Sequence, residues 1–485
     1  MTVPRCMSTQ HPDNVSLPFF ADSADLGGED EIREAYYAYS HLGCDEQMWD
    51  VEGKEVDAFV VKKLLSRYET FFRQRPLGTD LRLTLRVPNP AVERAEAKVL
   101  LETLESIPRS LDAARLFYGD GIAPIFEVIL PMTESAAALD RIYHYYADQI
   151  IGRQHCSVRE GDITVAEWIG EFGPDHIEVI PLFEDRDHML RADAITAEYL
   201  ADKDVAEQRV FLARSDPAMN YGSLAAVLMN KIALHRLQQL SERCGVRFAP
   251  ILGVGSAPFR GNLTPANVER VAAGYPSVVT FTIQSAFKYD NPAPEAAAAI
   301  AWLKARQPSE ALAVDEARCV DLLDRAAAAY QAEMLPLASV INSVARHVPS
   351  RRKRKLHIGL FGYSRSIEGV SLPRAISFTS ALYSIGLPPE LLGLSALTAD
   401  DRVLLRDTYP SYEDDLLDAL RYADPDCPFM PEAVRSLLRT FTGDVEPDHE
   451  HLRLTRRIAQ AVADEQTADI GEALVEAAER RRFLG

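Results

Sequence analysis

The sequence has no CxxC pair. Its six cysteines (Cys6, Cys44, Cys156, Cys244, Cys319 and Cys427) are scattered along the chain, which argues against a disulfide framework and against a zinc site. No run of about 18 apolar residues occurs, so no membrane-spanning helix is expected. The N-terminus lacks the basic, apolar, small-residue order of a secretory leader, and a cytoplasmic protein is the expectation. A P-loop, an internal repeat and a long low-complexity linker are also missing. Positive charge is in deficit: 52 Lys and Arg stand against 72 Asp and Glu, a formal charge of −20. Such a surface repels nucleic acid and acidic membranes, so neither is an expected partner. An anion would have to be held by a local cluster of cations.

Apolar residues are plentiful, at 47% of the 485. Short apolar runs that end in polar or Gly/Pro clusters recur. They are RCMSTQHPD, LRLTLRVPNP (81–90), PIFEVILPMTE (124–134), HIEVIPLFED (176–185), QRVFLARSDP (208–217), VRFAPILGVGS (246–256), SVVTFTIQSAFK (277–288) and LHIGLFGYSR (356–365). Continuous rather than alternating apolar character marks strands buried on both faces. Helical patterns lie between them. Eight strands alternating with helices predict an α/β fold, a (β/α)8 TIM barrel. Residues 1–370 form this barrel in our reading, with helical insertions near 30–75 and 290–350. Residues 371–485 form a helical C-terminal extension packed on it.

Strand C-terminal ends meet at one face of such a barrel, and that face carries the site. His11 would end the first strand there, Arg86 the second, and Lys288 and Arg365 the last two. Glu184 and Asp216 each directly follow an apolar strand, where an unpaired carboxylate is costly. Two such carboxylates suit Mg²⁺ or Mn²⁺, whose remaining positions go to water and substrate. Asp185 and Asp187 are alternative ligands, and ion pairs with Arg186 or Arg214 are the structural alternative. GVGSAPFRGN (253–262) is a glycine-rich loop before a helix; the N–H groups around Gly255 and Ser256 can face an anion, and Arg260 adds a guanidinium fork. A histidine with an ordinary pKa near ~6.5 can serve as general acid or base. The set suits a small, multiply anionic substrate. The basic run RRKRK (351–355) reads as a solvated turn.

Four segments, MSTQHPDN, GVGSAPFRGNL, TIQSAFKYD and HIGLFGYSRS, resemble the archaeal-type phosphoenolpyruvate carboxylases, as do LPRAI and YSIGLPPELLG further on. The resemblance implies conversion of phosphoenolpyruvate and bicarbonate to oxaloacetate and phosphate, with Mg²⁺ or Mn²⁺ and no biotin, by a homotetramer. Motifs of the longer plant and bacterial enzymes carry over residue by residue. Their histidine-proline motif is similar to QHPD and implies His11 as catalytic base. PLFE implies Glu184, and RSDPAMNYG implies Asp216, as metal ligands. Arg86 and Arg260 match catalytic arginines. The sequence departs from those motifs at Met219, Val254 and Ala286, where the longer enzymes carry a lysine and two arginines. Lys288, two residues beyond Ala286, is the candidate for the missing charge, with Arg365 as a further substrate-binding cation. The rival expectations are another metal-dependent barrel enzyme acting on phosphoenolpyruvate or pyruvate enolate, and a non-catalytic regulatory barrel that binds an anion.

Overall fold

A computed structural model describes residues 2–52, 56–119, 121–353, 365–367, 370–440, 445–468 and 470–485. Eight parallel strands close into a barrel in sequence order: β1 (Cys6–Ser8), β2 (Glu46–Asp50), β3 (Arg82–Arg86), β4 (Glu127–Leu130), β5 (Glu178–Phe183), β6 (Glu207–Ala213), β7 (Arg247–Gly253) and β8 (Thr280–Ile283). The seam is a parallel pairing of β1 with β8, Met7 opposite Thr282. The (β/α)8 barrel expected from the sequence is the fold.

Two strand assignments change. EQMWD, inside a stretch read as helical, is β2. It carries no apolar run because Glu46, Met48 and Asp50 alternate onto the barrel's inner face, where the layers at both ends are polar. The run expected as the eighth strand lies mainly on residues outside those described. Its last residue, Arg365, begins a three-residue strand that pairs antiparallel with Val370–Leu372 in a separate two-stranded sheet. The barrel closes without it, so Arg365 does not end a barrel strand.

Alternation along the strands divides the core. Met7, Met48, Ile129, Ile180, Phe211 and Ile251 form one cluster, the plug of the barrel. Their strand neighbours Cys6, Trp49, Val128, Val179, Leu212 and Leu252 belong to the larger core outside it, under the helices. A two-residue period on a closed sheet requires this split. One of those outer helices, Ser223–Cys244, is 22 residues long, and Gly245 ends it in the left-handed conformation (φ 74°) that glycine adopts without strain. From Ala375 to Arg481 the described elements are helical. Among the described residues, no helix is long and apolar enough to cross a membrane.

Candidate active site

Above the plug, the strand C-terminal ends open into a cavity of about 410 Å³. His11, Arg86, Glu184, Asp216 and Arg260 all line it. They come from four strand ends and one loop, and the local chain explains each position.

His11 follows β1. Thr9 prolongs the strand by donating its N–H to Ile283 O at 3.0 Å, and the His11 carbonyl accepts from Asp13 N–H at 3.1 Å and Ser285 N–H at 3.3 Å. The ring's Nδ1 lies 2.9 Å from Thr9 Oγ1. Arg86 is the last residue of β3. Its Nε and Nη2 donate to the two oxygens of Asp50 at 2.7 and 2.8 Å, the planar fork that only arginine offers. Glu52, which also lines the cavity, stands 3.7 Å from the same guanidinium.

Glu184 follows β5 and is 4% exposed. One of its oxygens accepts from Met132 N–H at 2.7 Å. Met132 holds a left-handed φ of 48°, costly for a side chain of its size. The Asn89 amide fixes this turn through the carbonyls of Pro131 and Met132, both at 3.0 Å. Asp216 sits in the first turn of Ser215–Tyr221, directly after β6. The alternative ligands are elsewhere: Asp185 caps the helix Arg186–Met189 and bonds His188 at 2.6 Å, and neither it nor Asp187 lines the cavity. Two carboxylates at one mouth, one of them oriented by a backbone donor, fit a divalent cation that takes its other oxygens from water and substrate.

Arg260 is a clamp. Its Nε donates to Ser215 Oγ at 3.0 Å, its Nη1 to Asp13 Oδ2 at 3.3 Å and to the Gly485 main-chain oxygen at 2.8 Å, and its Nη2 to Gln284 Oε1 at 2.6 Å. Four of its five N–H groups are thus taken. Burial pushes the guanidinium down and Asp13 up from their ordinary values, while each one's charge pulls the other back. Gly255 leaves the room this requires, since a Cβ there would stand 3.0 Å from Gln284 Oε1 and 3.1 Å from Arg260 Nη1. Neither Gly255 nor Ser256 lines the cavity. Ser256 N–H instead points at Asp13, at 3.5 Å.

Lys288 does not reach the cavity. The helical turn Ser285–Tyr289 carries it beneath β1, fully buried, where its ammonium donates to Ser8 Oγ (3.1 Å), Thr9 O (2.9 Å) and Glu34 Oε1 (2.8 Å). That corrects its assignment to the substrate surface. The Arg365 side chain lies outside the described residues.

Four lining arginines were not singled out in the sequence as substrate contacts: Arg214, Arg351, Arg352 and Arg374. Arg352 is 3% exposed and pairs with Glu34 at 2.8 Å and Glu31 at 3.2 Å. Arg351 donates to Val15 O at 2.9 Å. The first two residues of the basic run therefore form a wall of the site rather than a solvated turn. Arg374 precedes the helix Ala375–Ser384, whose first three residues also line the cavity, so the positive end of that helix faces the same space. Only a proline-arginine pair ahead of a helical pattern signalled it. In all, six arginines and three carboxylates (Glu52, Glu184, Asp216) face one volume together with His11.

The family model described as phosphoenolpyruvate carboxylase matches residues 3–485. A protein of that name from Methanothermobacter thermautotrophicus is 57% identical over the whole of both chains. Another from Methanospirillum hungatei is also 57% identical over the whole of both. One from Halobacterium salinarum is 51% identical over all of this chain and 99% of its own.

Proposed function

The chain belongs to the phosphoenolpyruvate carboxylase family, a family of carboxy-lyases, and from that premise we propose how its cavity does the work. The reaction joins bicarbonate to phosphoenolpyruvate and releases phosphate and oxaloacetate. One observation carries the reading: six arginines, one histidine and two strand-end carboxylates face a single cavity of about 410 Å³.

Arg374 and the N-terminus of the helix Ala375–Ser384 form the pole best suited to the phosphate, by charge and by first-turn N–H groups that have no partner within the helix. Arg86 and Arg352, each bonded to a buried carboxylate (Asp50 and Glu34), present fixed charge to the remaining oxygens. Preorganised donors of this kind stabilise charge as it moves. Arg260 has one N–H left for a ligand and otherwise holds the loops in register. Glu184 and Asp216 would hold the divalent cation, Mg²⁺ or Mn²⁺, which when bound supplies Lewis-acid stabilisation of developing negative charge.

Bicarbonate oxygen attacks the phosphorus, the bond from phosphorus to the enol oxygen breaks, and carboxyphosphate and the enolate of pyruvate result. His11 takes the carboxyl proton of carboxyphosphate, and its electrons release CO₂ and phosphate. The phosphate recovers that proton from His11. The enolate carbon then adds to CO₂. Leu182, Phe211, Val348 and Ile376 line the same cavity and limit the water that would protonate the enolate to pyruvate. The reading extends to a biotin-free, cytoplasmic homotetramer. It keeps 1–370 as the catalytic barrel and 371–485 as its extension, with Arg374 reaching back into the wall.

A coupled assay tests it. Purified protein with phosphoenolpyruvate and Mg²⁺ should form oxaloacetate, read through malate dehydrogenase, only when bicarbonate is present and without nucleotide. Phosphate release without oxaloacetate would remove His11 from this role.

A further inference from the structure

Thr9 is wholly buried, and each of its polar groups is engaged. Its N–H donates to Ile283 O at 3.0 Å, and its carbonyl accepts from Lys288 Nζ at 2.9 Å. Its hydroxyl lies 2.9 Å from His11 Nδ1. Lys288 is in turn fixed by Glu34, whose carboxylate also accepts from Tyr289 OH at 2.9 Å and from Arg352 at 2.8 Å. The backbone at Thr9 is therefore pinned from two sides, and its hydroxyl has little freedom to leave the ring.

The chemistry of this partner matters. Thr9 engages Nδ1, and the His11 side chain lines the cavity, so proton exchange with a ligand there falls to Nε2 in the role given to His11 above. Which ring nitrogen carries a proton depends on the bond made by the other. A carboxylate at Nδ1 would accept only, and would favour the imidazolium. A hydroxyl can donate to Nδ1 or accept from it. The same contact then persists while His11 gains a proton and gives it back.

We propose that Thr9 is the positioning residue for His11, with Lys288 as its anchor, holding the imidazole in one orientation through both halves of its proton transfer. The proposal rests on the role given to His11 above. It also assigns Lys288 a purpose that its distance from the cavity otherwise leaves unexplained.

The test is Thr9→Val, which keeps shape and loses the hydroxyl, beside Thr9→Ser, which keeps the hydroxyl and loses the methyl. Misplacing a reacting group can cost about 100-fold in rate. Thr9→Val is accordingly expected to lower oxaloacetate kcat about 100-fold while KM for phosphoenolpyruvate stays within about twofold. The fraction of turnovers ending in pyruvate should rise, and Thr9→Ser should recover both readings. Wild-type rate and product ratio in Thr9→Val would overturn the proposal. So would equal impairment of Thr9→Ser, which would make the methyl the important group. A second readout needs no turnover. The ¹⁵N ring signals of His11, identified by their loss in His11→Asn, should match between wild type and Thr9→Ser and change in Thr9→Val. Unchanged signals in Thr9→Val would refute the contact. If wild type forms no oxaloacetate, the functional reading fails, and the ¹⁵N result still decides whether Thr9 sets the ring. If Thr9→Val does not fold, Thr9→Ala carries the same readings.

Discussion

The barrel buries charge at both ends, and the two ends differ. At the N-terminal end Arg209 is bidentate on Glu46, at 2.8 and 2.6 Å, and reaches Glu127 at 3.1 Å. Arg82 meets Glu127 at 2.8 Å, and Thr84 donates to Glu46. Two guanidinium groups and two carboxylates bond one another there, their side chains at most 9% exposed, and none of the four lines the cavity. At the C-terminal end Asp50 on Arg86 (2.7 Å) and Glu34 on Arg352 (2.8 Å) are as tight, and Asp13 on Arg260 is looser at 3.3 Å. There each of the three arginines is bonded to a buried carboxylate and also lines the cavity. Arg214 and Arg351 make no ion pair among the described residues, yet both line that space. A buried ion pair is thus no sign of function in itself. An arginine bonded to a buried carboxylate and also lining the cavity is preorganised for an anion, whereas one bonded only within a buried cluster is part of the core.

The comparison predicts opposite phenotypes. At the mouth, Glu184→Gln or Asp216→Asn should lower kcat about 1,000-fold, equivalent to about 4 kcal/mol, and raise the metal concentration needed for half-activity. Thermal midpoints should hardly move. Metal titrations identical to wild type in both variants would show that the ligands are other residues. At the closed end, Arg209→Met strands Glu46 without its guanidinium. Breaking such a pair costs about 3–5 kcal/mol, and the low end applies here because Arg82 still holds Glu127. Urea unfolding should report that loss, with kcat per folded molecule within about twofold of wild type. A variant that folds normally but turns over poorly would erase the distinction between the two ends.

The sequence carried most of the barrel because its strands are buried on both faces and read as apolar runs. β2 escaped because its inward residues, Glu46 and Asp50, serve the charged layers just compared. The same logic governs the mouth. Arg86 ends its strand, and Glu184, His11 and Asp216 follow theirs within three residues, so strand position put them at the opening. Lys288 also follows a strand, but the helical turn after β8 carries it under β1, and a turn's rotation has no signature in spacing. Arg352 and Arg374 reach the cavity from segments far along the chain. Arg352 was further disguised by lying in a run of five basic residues, where solvent is the simplest expectation for each. What distinguishes it is Glu34, more than 300 residues earlier, and no local pattern links the two.

Glu34 tests the comparison at its boundary, since it stands behind the mouth yet is enclosed like the residues of the closed end. Burial pushes its carboxyl up, but the charges of Arg352 and Lys288 and the bonds from Lys288 and Tyr289 outweigh that and bring it down to about 2 from 4.5. A carboxylate depressed in the folded state adds stability above its unfolded pKa, and that stability is lost as pH falls from about 4.5 toward about 2. Between pH 7 and pH 4 only the first part of the loss is sampled, about 1 kcal/mol for this one group. Glu34→Gln cannot titrate, so its unfolding free energy from urea titration should fall less than that of wild type over the same interval, by about 1 kcal/mol. The variant should be less stable than wild type at pH 7, where Arg352 and Lys288 lose their shared counter-charge. Equal pH slopes in the two proteins would mean that Glu34 is not held by its cations as tightly as its four donor contacts require, and the wall formed by Arg352 would lose its fixed backing.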